Sequence, residues 1–208
     1  MVIGHISSEE RLQATVVNGA AILQLIQAAN ASDSVSKKCI AYTICNLCTD
    51  PSNRAKTVKE GGLLPMLSLT SSGRSSDVLA VLMTIRALSC CGDMRRLIVQ
   101  CGGLEPLKFS CCGDKCKRRN IIEACHALCW LSLEDETKTS IVKHKQFSTI
   151  MCISASHDVN IKCSLLHILT NCSEKMSLQP TILKVTTLPF FGNLFDQDLS
   201  KTAPECLD

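Results

Sequence analysis

Lys56–Leu69 reads KTVKEGGLLPMLSL, and Leu97–Phe109 reads LIVQCGGLEPLKF. In both stretches a short amphipathic run ends near Val58 or Val99, a glycine pair follows (Gly61-Gly62, Gly102-Gly103), and a second apolar run has proline in its first turn (Pro65, Pro106). Glycine supplies a sharp turn and lets two helices approach closely. Proline in a first helical turn costs little, because its missing N–H would be unsatisfied there anyway. TVVNGAAILQLI from Thr15, SIVKHKQFSTIMCI from Ser140 and LKVTTLPFFGNLF from Leu183 repeat the layout more loosely. Aligning Ala21, Leu63, Leu104, Phe147 and Leu188 gives intervals of 42, 41, 43 and 41 residues. Independent elements would not recur in phase, so the chain reads as a repeat array.

Each copy continues in the same way. After the second helix come polar loops (SSGRSSD, CCGDKCKRRN, SASHD) and then a long helix whose apolar residues recur at three and four. The expected core positions are Ile40, Ile44 and Leu47, then Leu82, Ile85 and Leu88. Ile121, Cys125, Leu128 and Leu131 follow, and then Leu166, Leu169 and Cys172. In the fourth copy Lys145-Gln146 stands where the glycines would be, which leaves that turn without its usual residues.

A short, a middle and a long helix per repeat, with Gly-Gly between the first two, resembles the armadillo repeat. The resemblance runs from about Ser7 to Leu194. It implies an all-α fold, a right-handed α-solenoid of three-helix repeats over approximately 7–49, 50–91, 92–133, 134–174 and a partial 175–195, with a polar tail at 196–208. A solenoid exposes apolar surface at an uncapped end, so the short fifth copy fits a fragment, a truncated gene model or one segment of a larger solenoid alike.

Composition agrees with a packed helical chain. Of 208 residues, 46% are apolar and only 3% aromatic, so the core must be built from Leu, Ile, Val, Ala and Cys. A formal charge of +3 gives no argument for nucleic acid or an acidic lipid surface. The N-terminus MVIGHISSEERLQ lacks a secretory pattern, and the uncharged stretch Leu12–Ser32 is broken at Asn18-Gly19, so neither export nor a membrane span is expected. A reducing cytosolic or nuclear setting is the expectation, and the 15 cysteines then read as small core hydrophobes rather than disulfide partners.

The resemblance also says where to look for a binding surface, because the third helices of armadillo repeats form a concave groove. The matching positions are Lys38, Tyr42 and Asn46; Leu79, Met83 and Ala87; Ile122, His126 and Trp130; and His167 and Asn171. Members of each set lie four residues apart and so share one helix face. Asn can both donate to and accept from an extended backbone, and Trp and Tyr are common interface anchors. Packing between adjacent repeats is the simpler account of Met83 and Ile122. Nuclear-import adaptors of the importin-α family use a Trp/Asn pair in successive repeats. Tyr42/Asn46 and His167/Asn171 approximate it, but Met83/Ala87 and Trp130 break the ladder, which argues against recognition of basic localisation signals. ACHALCWLSLEDETK (Ala124–Lys138) and LTNCS from Leu169 resemble a repeat of the UCS-type myosin chaperones, also armadillo solenoids.

Other motifs yield simpler readings. Cys112, Cys116, Cys125 and Cys129 have spacings compatible with zinc, yet Cys125 falls on an apolar repeat position, so no metal is expected. No nucleophile signature or phosphate-binding loop is present, and no cofactor is expected. Glu134, Asp135 and Glu136 read as a solvated acidic turn; Lys115, Lys117, Arg118 and Arg119 read as a solvated basic loop. The expected function is therefore non-enzymatic: a scaffold or adaptor that holds an extended or helical segment of another protein. The alternatives are a chaperone segment handling a motor domain and the partner-binding part of a larger enzyme such as a ubiquitin ligase.

Overall fold

The computed structural model describes residues 34–192, apart from 73, 112–116, 145–146, 157 and 187–189, together with Gln24, Gln27 and Ala28. The alignment positions Ala21 and Leu188, the Lys145-Gln146 turn, Cys112, Cys116, Lys115 and the tail 196–208 lie outside these residues. Among the described residues every regular element is helical. The long helix of the first copy is α1 (Ser34–Leu47). Triplets follow: α2 (Pro51–Lys59), α3 (Leu63–Ser68) and α4 (Ser75–Ser89); α5 (Gly92–Gln100), α6 (Leu104–Cys111) and α7 (Arg118–Leu131); α8 (Asp135–Val142), α9 (Phe147–Cys152) and α10 (Val159–Ser173). A further helix, α11 (Gln179–Val185), opens another copy. The chain divides into two compact units, Met1–Pro106 and Leu107–Asp208.

The two glycines of each pair have different tasks. Gly61 and Gly102 adopt φ of +90° and +87°, a left-handed conformation that strains any side chain. Gly62 and Gly103 then donate their N–H groups back across the turn to Thr57 O (2.9 Å) and Ile98 O (2.8 Å), closing the end of the first helix. A Cβ on Gly62 would lie 2.9 Å from Thr57 O, and one on Gly103 would lie 2.7 Å from Ile98 O. The first glycine therefore bends the chain, and the second lets the next helix start against the backbone of the last.

The long helices form the core. Ala41, Leu82 and Cys125 are wholly buried at the same point of successive copies, as are Leu47, Leu88 and Leu131 near the helix ends. Ile40, Ile121 and Leu166 depart from expectation: all are half-buried. In α10 the interior is taken instead by Ile161, Leu165 and Ile168. A helix packed on several sides buries a stripe wider than one three-four series, so its edge positions are only partly covered.

A second recurring device was not read from the sequence. The Arg54 Nε donates to Cys48 O (3.0 Å), Arg95 Nε to Ser89 O (2.9 Å), and Gln179 Nε2 to Ser173 O (2.9 Å). Each donor sits in the first helix of a copy and reaches the carbonyl end of the long helix before it. Those carbonyls have no partner within their own helix and carry the negative end of its dipole. Lys138 holds the corresponding place in unit 2, but it pairs with Glu174 (2.8 Å) and Asp135 (3.1 Å). Asp135 and Glu136 are solvent-exposed as expected, but they lie in the first turn of α8.

Alanine at the two kinds of glycine should separate their roles in urea denaturation. Gly102→Ala should lose about 1–2 kcal/mol, the cost of a side chain in the left-handed region. Gly103→Ala should lose about 3 kcal/mol, the upper end of overpacking penalties, because its Cβ meets backbone that cannot rotate away. Equal losses would contradict this division.

Candidate partner-binding face

In unit 1 the candidate positions fall on α1 and α4. Lys38, Tyr42 and Asn46 lie half-buried along α1, Leu79 and Ala87 are half-buried on α4, and Met83 is 38% exposed. Met83 thus presents part of its side chain to solvent while most of it is covered. The first two α1 residues are drawn into a charge network centred on Asp77, which is 1% exposed. The Tyr42 hydroxyl donates to Asp77 Oδ1 at 2.6 Å, while Lys38 Nζ (2.9 Å) and Arg74 Nε (3.1 Å) meet Oδ2. Sequence reading put Asp77 at the end of a polar loop; it lies in the first turn of α4, where an acid suits the helix dipole. Its partners on α1 are more than thirty residues away, so no local pattern announces them.

Asn46 is differently placed. Among the described residues its half-exposed amide makes no hydrogen bond, which leaves both its donor and its acceptor available. Beside it opens a recess of about 230 Å³, lined by Cys45, Cys48, Met83 and Ala87 with Arg54 and Arg86 among its walls. Ala87 occupies the repeat position held by Asn46 in the copy before it, and the smaller side chain leaves this space open.

In unit 2, His126 and Trp130 lie half-buried on α7, and His167 and Asn171 half-buried on α10. Asn171 Nδ2 donates to Ser132 Oγ at 2.9 Å, so one of its amide functions is already engaged. Among the described residues the His167 imidazole has no hydrogen-bond partner. Lys117, Arg118 and Arg119 are exposed at the start of α7, but Arg118 is tied to Asp158 at 2.5 Å rather than freely solvated.

The buried thiols are poor metal ligands and poor nucleophiles. Burial pushes Cys45 up to about 11 and Cys48 and Cys172 up to about 12. A hydrogen bond with Cys111, reinforced by burial, holds Cys125 well above the ordinary thiol range. Among the described residues, no three His, Cys, Asp or Glu side chains are grouped to hold a metal ion. Nor is any helix among those residues long and apolar enough to cross a membrane.

No protein-family model matches the sequence, and no curated protein does. Solved structures do resemble it. A computationally designed armadillo repeat protein for modular peptide recognition superposes with a TM-score of 0.80 at 13% identity, over 96% of this chain and 85% of the other. A designed armadillo repeat protein in complex with the peptide (KR)4 gives 0.67 at 14% identity, over 93% and 87%. A third designed armadillo repeat protein gives 0.76 at 13% identity, over 99% and 85%. The chain therefore has the all-α fold of an armadillo-repeat solenoid, which three-helix copies with glycine turns had led us to expect.

Two solution measurements probe these environments. Tyr42 is the chain's one tyrosine, so its titration can be followed by ultraviolet absorbance without interference. Burial and its bond to the Asp77 carboxylate raise its pKa above the usual 10, so its folded midpoint should exceed 10. Asp77→Asn should lower it. The neutral phenol favours folding below pH 10, and that contribution should vanish as pH rises through the folded midpoint. In alkylation at pH 8, exposed Cys39, Cys90 and Cys152 should be modified in the native protein. Cys45, Cys48, Cys125 and Cys172 should react only in denaturant; native labelling of Cys125 would contradict their assignment to the core.

Proposed function

We propose that the chain is a non-enzymatic scaffold that binds an extended segment of another protein along the exposed face of its long helices. The observation that carries this reading is Asn46: a half-exposed amide with neither function engaged, standing next to an open recess at Met83 and Ala87. Leaving such an amide unpaired is inexpensive in water, and it is well placed to bond a partner's peptide group in an extended strand. In unit 2, His167 is a second polar group unengaged among the described residues, and Trp130 offers flat apolar area. That a designed relative of the same fold was solved with a peptide supports a peptide as the class of ligand. The irregular series Asn46, Ala87, Trp130, Asn171 favours a partner of defined sequence over a repetitive one.

A library of random 12-residue peptides displayed on phage, selected against the full chain, tests this directly. Enriched peptides should lose at least ~30-fold in affinity for the Asn46→Ala, Trp130→Ala double variant, the scale expected for a lost interface anchor worth about 2 kcal/mol. The variant must keep the parent's helical circular dichroism. If it binds the same peptides equally well, the long-helix face is not the binding surface.

A further inference from the structure

The recess on unit 1 has a chemistry that the fold does not dictate. Three of the residues that line it carry sulfur, Cys45, Cys48 and Met83, with Ala87 beside them. Burial keeps both thiols protonated and uncharged. The polar groups of the walls are already engaged. The Thr84 hydroxyl donates to Ala80 O at 2.8 Å, and the Thr49 hydroxyl to Asn46 O at 2.6 Å. Arg54 donates from Nε and Nη2 to Cys48 O and Thr49 O at 3.0 and 3.2 Å, and Arg86 is engaged as well. A polar occupant would thus exchange water for walls with little left to bond it, whereas an apolar occupant gives up no hydrogen bond. No carboxylate lines the recess, so a lysine or arginine side chain would meet the fixed Arg54 cation with no acid to receive it.

Size narrows the choice further. The volume of about 230 Å³ lies below the roughly 300–1,000 Å³ of small-molecule sites. It exceeds the roughly 150 Å³ of an apolar cavity that holds one benzene ring. One ring-bearing side chain therefore fits where a cofactor would not. Sulfur against the edge of an aromatic ring is a favourable contact, and an unbranched thioether such as Met83 adapts its shape to the ring it meets.

We propose that this recess seats a phenylalanine side chain of the partner segment, its ring against Met83 and Ala87 and its peptide group beside the Asn46 amide. The inference rests on the peptide-binding reading above and deepens it by naming the partner's anchor residue. Tyrosine suits the site less well, because the walls leave its hydroxyl without a partner. A role for Ala87 follows: the residue that breaks the polar ladder makes room for the anchor.

The random 12-residue phage library, selected against the full chain, is the probe. Enriched peptides should share a phenylalanine whose replacement by alanine weakens binding roughly thirtyfold or more, the scale of one lost aromatic anchor. Ala87→Leu, which fills the recess, and Met83→Ala, which removes its thioether wall, should each weaken the same peptides about tenfold or more. Should Ala87→Leu fail to fold by circular dichroism, Met83→Ala carries the test, at a side chain partly open to solvent. Peptides that depend on Asn46 and Trp130 but share no such phenylalanine would overturn this inference and leave the binding face intact. So would phenylalanine peptides indifferent to either folded recess variant, or peptides anchored at the recess by an acidic or basic residue. Failure to enrich any peptide would remove the binding face and this inference together.

Discussion

Everything in the fold hangs on a turn too tight for side chains. At Gly61-Gly62 and Gly102-Gly103 one residue takes positive φ and the next brings its Cα against a carbonyl of the preceding helix. The second N–H then bonds to that same carbonyl, which keeps the close approach from leaving a buried acceptor unpaired. With the angle between first and second helices set in this way, the long helix that follows can lie against its neighbours and bury Leu82, Ile85 and Leu88 completely. The arginines at 54 and 95 then close the carbonyl ends of α1 and α4. Local backbone geometry thus leads to core packing, and core packing presents a repeating face.

How much of this was legible in the residues varies with the range of the interaction. Glycine pairs at a constant interval announced the turn, since few other residues can take that conformation. The three-four series found Ile44, Leu47, Leu128 and Cys172 in the core because helical periodicity is local. It overreached at Ile40, Ile121 and Leu166, where the edge of a wide buried stripe cannot be told from its centre by spacing alone. Asp77 was missed because an acid in a helix's first turn usually faces water, and its partners Lys38 and Tyr42 lie a full repeat earlier. The carbonyl caps made by Arg54, Arg95 and Gln179 escaped for the same reason: a polar residue on a short helix reads as solvated until the helix end beside it is known.

The candidate face divides along the same line. Spacing placed Tyr42, Asn46, Trp130 and Asn171 on the long helices, but it could not say which were occupied. Tyr42 is engaged by Asp77 and Asn171 by Ser132, whereas Asn46 and His167 keep their side-chain hydrogen-bonding groups unpaired among the described residues. Ala87 looked like a defect in the ladder, and in three dimensions it opens a recess. A regular ladder of identical pairs suits a repetitive ligand. Unit 1 carries a recess beside Ala87 and unit 2 an indole at Trp130, so the copies do not repeat one polar pair.

Amide hydrogen exchange read by mass spectrometry, on the full chain with and without a selected peptide at saturation, tests the central claim most directly. The account predicts slowed exchange confined to segments of the long helices, around residues 38–46 and 83–87 in one unit and 126–130 and 167–171 in the other. Protection concentrated instead on the short helices Pro51–Lys59, Gly92–Gln100 and Asp135–Val142 would contradict it.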